Sequence, residues 1–105
     1  MGAIIYDHSV EKMQFFTNNT ERWIISSSGT FYPAGTLTAD IGASSNYVNL
    51  LYTKSVRYAG LTFATLSAPS NGTTTYCSDC TIANPCAGAG TGAFAKRLNG
   101  VWVCN

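Results

Sequence analysis

Residues 94–104 read FAKRLNGVWVC and contain the clearest folding signal in the chain. Two runs rich in apolar residues flank the dipeptide Asn99-Gly100, and both of its residues tolerate the positive φ that a type I′ turn requires. The stretch therefore predicts a β-hairpin with strands at 94–98 and 101–104.

Three further strands are predicted near the N-terminus. Short apolar or alternating runs at 3–6, 12–17 and 21–26 are separated by turn formers, among them Asn18-Asn19. Strands joined by such short turns form a meander.

The middle of the chain matches neither strand alternation nor helical spacing throughout. In residues 46–58, alternation places Leu50 and Tyr52 on one face, whereas helical spacing loses coherence in the second half. Because β-branched and aromatic residues are frequent there, we predict a strand, preceded by one helical turn at 44–48. Another short strand is predicted at 61–66. The expected fold class is all-β, a short-strand meander with hairpins.

A polar stretch gives the best candidate boundary. Residues 67–75 read SAPSNGTTT, which is rich in turn formers and lacks apolar periodicity. We therefore predict a β-rich segment at 1–66 and a cysteine-bearing hairpin tail at 67–105.

Composition excludes several classes of partner. Charged residues make up 10% of the 105 residues and the net charge is +1, whereas an average soluble protein has about 25% charged residues. The basic residues are scattered, so we expect no nucleic-acid partner. No apolar run approaches the roughly 18 residues of a membrane span, so we expect no membrane insertion. The first residues lack a signal-peptide pattern, so we expect another route out of a cell, of which release inside a virion by lysis is one example.

Four cysteines are the most specific chemical feature. Cys77 and Cys80 form a C-x2-C pair, while Cys86 and Cys104 stand apart from each other. Two disulfides would stabilise a tail that lacks its own core, and spacing does not choose among the three connectivities. Zinc bound by all four thiolates and free thiols are the alternatives, although only one half of a zinc knuckle is present. We favour the disulfides and expect no metal and no cofactor.

Two motifs suggest catalysis or nucleotide binding, and their contexts argue against both. Asp7, His8 and Ser9 are the residue types of a hydrolase triad, but neighbours on an extended chain point to opposite faces. Residues 88–93 match a dinucleotide fingerprint, but a hairpin follows them instead of a helix. The five carboxylates form no recognisable pair. We therefore expect no enzymatic activity.

Apolar side chains on both faces of short strands need more cover than one small chain supplies. We predict that Phe15, Trp23, Leu50 and Tyr52 lie in a core or a subunit interface. Threefold association would bury the second face and remove exposed strand edges. Three other aromatic residues could instead stack on sugar rings: Tyr47, Tyr76 and Trp102.

Two long segments resemble the shaft-end region of phage tail fibres and tailspikes. They read YDHSVEKMQFFTNNTERWIISSSGTFYPAG (6–35) and ADIGASSNYVNLLYTKSVRYAG (39–60). The segment 76–105 is similar to the C-terminal segments of many uncharacterised phage and prophage structural proteins. The positions that carry the first resemblance are Phe16, Thr17, Glu21, Arg22, Ile25, Ser27 or Ser28, Gly29, Ile41, Gly42, Ser44 or Ser45, Tyr47, Leu50 or Leu51, and Tyr52.

The resemblance implies a homotrimer of intertwined β-strands at the tip of a virion, where it would bind a host cell-surface glycan or protein. Such fibres often end in a self-cleaving chaperone domain, which residues 67–105 do not resemble. We therefore expect the cysteine-bearing tail to register the trimer instead. Receptor contact is expected at the polar loops near Asn71 or Asn99. The alternatives are a zinc-binding interaction module and a fragment of a glycan-hydrolysing tailspike.

Overall fold

A computed structural model describes residues 1–36 and 39–105. The described residues form two compact units, Met1–Tyr52 and Thr53–Asn105. Seven strands are present among them, in two antiparallel sheets, and none of the described residues lies in an α-helix. The predicted all-β fold class is therefore confirmed.

The first unit contains a four-stranded meander. Its strands are β1 (Ala3–Asp7), β2 (Lys12–Thr17), β3 (Thr20–Ile25) and β4 (Phe31–Pro33), and each pairs with the next along the chain. The first three strands were predicted within a residue or so at each end. β4 was missed because it is three residues long and ends in proline, which a strand tolerates at a sheet edge.

The turn between β2 and β3 forms as its sequence predicts. Asn18 and Asn19 have φ values of 51° and 56°, which asparagine adopts more readily than most residues. The register between β2 and β3 shifts at Phe15 and Phe16, where β3 contains one extra residue, Arg22, and so forms a β-bulge.

The second unit contains a three-stranded sheet of β5 (Thr74–Cys77), β6 (Ala93–Leu98) and β7 (Val101–Cys104). The predicted C-terminal hairpin is present, and its turn residues Asn99 and Gly100 have φ values of 52° and 78°. β5 was not predicted, because its two threonines continue a polar stretch that resembles a loop.

Disulfides form the centre of the second unit. Cys77 is bonded to Cys80 and Cys86 to Cys104, so the structure agrees with the disulfide interpretation and gives the connectivity that spacing left open. Residues from the loops and from β5, β6 and β7 pack around the sulfur atoms. The buried set consists of Cys77, Cys80, Cys86, Ala93, Ala95 and Cys104, with Leu66 and Trp102 packed against it.

The predicted strand at 46–58 is wrong. These residues have no regular structure apart from an isolated bridge between Ala43 and Asn46, and the predicted helical turn at 44–48 is a tight turn closed by that bridge. A strand requires a neighbour that accepts and donates its backbone hydrogen bonds. No described strand of the first unit lies beside this segment.

The predicted strand at 61–66 is also wrong, because residues Phe63–Thr65 form a 3₁₀ helix. The Thr65 hydroxyl accepts a hydrogen bond from the Thr62 backbone N–H at 3.0 Å, which replaces a sheet partner. Only Leu61 has strand character, through an isolated parallel bridge to Cys77.

This bridge explains where the two units divide. The Leu61 N–H donates to the Tyr76 carbonyl oxygen, and the Ser78 N–H donates to the Leu61 carbonyl oxygen, both at 2.8 Å. Residues 53–66 therefore belong with β5, whereas the sequence placed the boundary after residue 66.

Candidate interaction surfaces

One face of the first sheet is apolar throughout. Strand alternation and the observed register place eight side chains on it in two cross-strand rows. One row contains Ile4, Phe15, Trp23 and Pro33, and the other contains Tyr6, Met13, Ile25 and Phe31. We call these eight residues the apolar face.

The apolar face is ordered but uncovered within its own unit. None of its members is buried, and Ile4 and Phe31 are 69% and 52% exposed. The Trp23 ring stacks on the Phe31 ring with 4.6 Å between their centroids. The Phe15 ring meets the Phe31 ring edge-on, with 6.4 Å between centroids. The aromatic residues thus form a preformed surface.

The opposite face of the same sheet is mixed. Asp7 and Lys12 are cross-strand partners there, and Gln14 donates a hydrogen bond to Glu21. Ile24, on this face, is the one buried residue among those described in the first unit. Asp7, Lys12 and Glu21 therefore lie away from the apolar face, whereas the carboxylate of Glu11 borders it beside Tyr6.

The structure brings two of the four predicted interface residues together. Phe15 and Trp23 are direct cross-strand partners on the apolar face. Leu50 and Tyr52 lie in the irregular segment and are 64% and 89% exposed, so within the first unit they join neither a core nor the apolar face.

The two predicted receptor loops lie side by side in the second unit. The Gly100 N–H donates to the Oδ1 atom of Asn71 at 2.8 Å, which joins the turn of the C-terminal hairpin to the turn before β5. The Gly72 N–H donates to the Arg97 carbonyl oxygen, also at 2.8 Å. Asn71 and Asn99 are both exposed. The sequence identified both loops but not their contact, because the two asparagines are 28 positions apart in the chain. We call residues 70–73 and 98–101 the loop pair.

The cysteine sulfurs do not offer a zinc site in this state. The potential ligand atoms of Cys77, Asp79 and Cys80 lie within 4.8 Å of one another. The two sulfurs are bonded to each other, however, and Cys86 and Cys104 form the second disulfide. Zinc binding needs thiolates, so these residues do not fit the ion unless both bonds are reduced.

The Asp7-His8-Ser9 segment is a hydrogen-bonded turn. The carboxylate of Asp7 accepts hydrogen bonds from the Ser9 hydroxyl at 2.6 Å and the Ser9 backbone N–H at 2.9 Å, and these bonds lower the pKa of Asp7. The imidazole of His8 lies against the Tyr6 ring at 4.6 Å between centroids. The hydroxyl therefore interacts with the carboxylate, whereas a hydrolytic triad places the imidazole between them.

Tyr6 and Glu11 interact across the same turn. The Tyr6 hydroxyl donates a hydrogen bond to the Glu11 carboxylate, and this bond raises the pKa of Tyr6. Glu11 has a φ of 52°, so the turn holds it in a conformation unusual for glutamate.

The glycine-rich loop at 88–93 packs against the disulfide centre. The Gly90 N–H donates to the Asp79 carbonyl oxygen at 2.8 Å. A Cβ atom on Gly90 would lie 2.3 Å from the Cys80 carbonyl oxygen. Close backbone approach explains this glycine without a bound nucleotide.

An aromatic cleft lies in the second unit and was not predicted as a site. It is lined by residues 56–60, Tyr76, Ser78 and Phe94 and has a volume of about 340 Å³. Of its lining residues, Tyr76 was singled out from the sequence as a possible sugar-stacking residue. No local sequence signal connects the others, because they come from three separate parts of the chain.

No described helix is long and apolar enough to cross a bilayer. No family model, no curated protein and no solved structure matches this chain.

Proposed function

We propose that this chain is a virion structural module of the tail-fibre or tailspike kind. In this proposal it assembles as a homotrimer through its first unit and presents its second unit to the host surface. The observation that carries the proposal is the apolar face, which is ordered, consists of eight uncharged side chains and is uncovered within its own unit.

An exposed apolar sheet face favours association. Soluble monomers rarely expose large contiguous apolar patches, and removing such area from water contributes about 25 cal/mol per Å², which opposes the entropic cost of association. A second copy of the chain suits the surface because the eight side chains of its own apolar face are uncharged and do not repel those of the first. The resemblance to fibre proteins favours three copies.

Strand edges give a second reason for association. β1 is an edge strand of five residues, and β4 on the other edge has only three. An edge with unpaired backbone groups pairs readily with another chain unless it is covered. A closed threefold arrangement would cover these edges.

The second unit has properties expected of an exposed tip. Disulfides persist in oxidising surroundings such as a virion surface, which agrees with an extracellular location. The loop pair presents polar, exposed residues on turns that are fixed to each other. Preordered loops bind a host glycan or protein with a smaller entropic cost than mobile ones.

The association is tested by sedimentation velocity and native mass spectrometry. We expect the wild-type chain to have about three times the monomer mass of 11.2 kDa. The double variant Phe15→Ser/Trp23→Ser should sediment as a monomer, whereas Tyr32→Ser on the opposite face should remain a trimer. A monomeric wild-type chain would contradict the proposal.

Trimer registration by the tail is tested by truncation. A chain without residues 67–105 should lose its uniform stoichiometry and form mixed species. If the truncated chain forms an unchanged trimer, the tail has no registering role.

Attachment is tested by the binding of fluorescently labelled protein to a panel of bacterial cells. Asn71→Ala and Asn99→Gly should reduce binding to any strain that the wild type binds. Glycine at position 99 tolerates the positive φ, so the turn persists. Ser27→Ala, in a polar loop of the first unit, serves as the control. Binding that is unchanged in both asparagine variants would exclude the loop pair as the receptor contact.

A further inference from the structure

The aromatic cleft has fixed walls on the outer face of the second sheet. Tyr76 and Phe94 are cross-strand partners whose ring centroids lie 5.5 Å apart. Tyr58 meets the Phe94 ring at 6.0 Å, and its hydroxyl is hydrogen-bonded to that of Thr74 at 3.2 Å. The opposite face of this sheet packs on the disulfides, so the rings stand on a rigid base.

The rings present both a polar edge and an apolar surface to solvent. Phe94 is 49% exposed even though it pairs with two other aromatic rings. The Ser78 hydroxyl also lines the cleft and donates to the Leu61 carbonyl oxygen at 3.3 Å, which leaves its lone pairs available to a ligand hydroxyl. At about 340 Å³, the cleft is at the small end of ligand sites.

Among the described residues that line the cleft, Arg57 is the one with a charged side chain. Its guanidinium is exposed and has no hydrogen bond or ion pair with any residue that the structure describes. Lys96 is two residues from Phe94 on β6, and strand alternation places it on the same face of the sheet. The cleft therefore lies in positive surroundings.

The second unit as a whole also carries more basic than acidic residues. Its one acidic residue is Asp79, whose carboxylate accepts a hydrogen bond from the Phe63 backbone N–H at 2.7 Å. The first unit has the opposite balance, with four acidic and two basic residues. The basic residues of the second unit are Lys54, Arg57, Lys96 and Arg97.

From this combination we infer that the cleft binds a saccharide that carries a carboxylate, such as a uronic acid unit of an acidic polysaccharide. The faces of the aromatic rings would pack against the C–H groups of the sugar. The planar guanidinium of Arg57 would bind the carboxylate through two parallel hydrogen bonds. This inference rests on the proposed attachment function and names the ligand class and a site apart from the loop pair.

The inference is tested with a galacturonic acid tetrasaccharide, titrated into the full-length protein and followed by calorimetry and by the NMR signals of the aromatic rings. We expect saturable binding that weakens as salt is added, with shifts of the Tyr58, Tyr76 and Phe94 ring signals. The methyl-esterified tetrasaccharide, which keeps the sugar rings but lacks the charge, should bind about tenfold more weakly or worse.

Two variants and a matched control locate the site. Arg57→Gln should weaken binding of the acid tetrasaccharide about tenfold or more, because a charge-assisted hydrogen bond is lost. Phe94→Leu removes the central ring but keeps an apolar side chain, and it should also weaken binding. Lys54→Gln makes the same charge change three residues away, outside the cleft lining, and should bind as the wild type does.

Three results would overturn the inference: no binding at millimolar tetrasaccharide, binding unchanged by Arg57→Gln, or equal binding of a hexaglutamate peptide. The last result would assign the cleft to acidic peptides. Sedimentation and cell binding of the same samples separate this inference from the proposed function. A trimer that binds cells but not the tetrasaccharide removes the inference alone. A monomer that binds no cells removes the proposed function, whatever the titration shows.

Discussion

The two units differ in how they bury apolar side chains. In the second unit, six residues centred on two disulfides are buried by the loops and strands of that unit. In the described part of the first unit only Ile24 is buried, although its sheet carries a complete apolar face. Covalent cross-links thus stabilise one unit, whereas we expect the other to depend on association.

The difference follows from how little core a small unit can build. A unit of about 50 residues buries a small fraction of its surface and is only marginally stable by itself, so cross-links, metals or partners add much of the stability of such units. The second unit has cysteine and alanine at its buried positions, which fit a tight centre. The first has aromatic and branched side chains, which need a second layer.

The largest expected effect comes from removing the disulfide that closes the longer loop. Cys86 and Cys104 are 18 residues apart, so the chain-entropy model gives a loss of about 3 kcal/mol for Cys86→Ser/Cys104→Ser. Cys77→Ser/Cys80→Ser removes a disulfide whose cysteines are only 3 residues apart and should cost about 1.5 kcal/mol. Urea unfolding is followed by the fluorescence of Trp102 in a Trp23→Phe background. Equal losses in the two variants would show that packing around sulfur outweighs loop entropy.

Adding a single methyl group at Gly90 should destabilise the second unit almost as much as removing a disulfide. In Gly90→Ala the new Cβ would lie 2.3 Å from the Cys80 carbonyl oxygen, and backbone atoms held beside a disulfide have little room to move. We expect a loss of about 1–3 kcal/mol in the same unfolding assay. Gly88→Ala is the control, because its Cβ would be 3.2 Å from Cδ1 of the partly exposed Phe63, which can rotate away. Similar losses in both variants would contradict the close packing at Gly90.

Removing the hydrogen bond within the loop pair should change the free energy of unfolding by a smaller amount. Asn71→Ala removes the acceptor for the Gly100 N–H and should cost about 1 kcal/mol. Hydrogen exchange at the Gly100 amide should accelerate in this variant, whereas Asn71→Asp keeps an acceptor oxygen and should protect the amide. Rapid exchange of this amide in the wild type would contradict the link.

The smallest expected effect concerns the β1–β2 turn of the first unit. The bonds from Ser9 hold the pKa of Asp7 below its ordinary value, so the ionised carboxylate stabilises the folded turn. This contribution is present above the ordinary pKa of aspartate and is lost as the pH falls through the lowered value. An NMR titration should show that Ser9→Ala raises the pKa of Asp7. An unchanged pKa would exclude the side-chain hydrogen bond as the main cause.

Local turn chemistry made much of the fold predictable. Asn18-Asn19 and Asn99-Gly100 both occupy the left-handed region that their sequences favour, and the strands on either side follow. The segment 46–58 shows the limit of this reasoning, because alternation describes side chains and not whether a neighbouring strand exists. None of the strands described in residues 1–36 and 39–52 is such a neighbour, and Leu50 and Tyr52 are exposed.

The candidate sites were harder to predict for a related reason. Spacing alone did not decide how the cysteines pair, because loop flexibility allows each connectivity. Likewise, Arg57, Tyr58 and Phe94 meet only because residues 53–66 attach to β5 through Leu61. Contacts that depend on tertiary structure leave no local pattern in the sequence.

We expect this difference between the two units: the first depends on association and the second does not. Hydrogen–deuterium exchange, read by mass spectrometry across a dilution series, tests it most directly. As the assembly dissociates, amides of β1 to β4 should lose protection, while amides of β5 to β7 should keep theirs. Protection of β1 to β4 that does not change with concentration, or that falls in parallel with that of β5 to β7, would contradict the account.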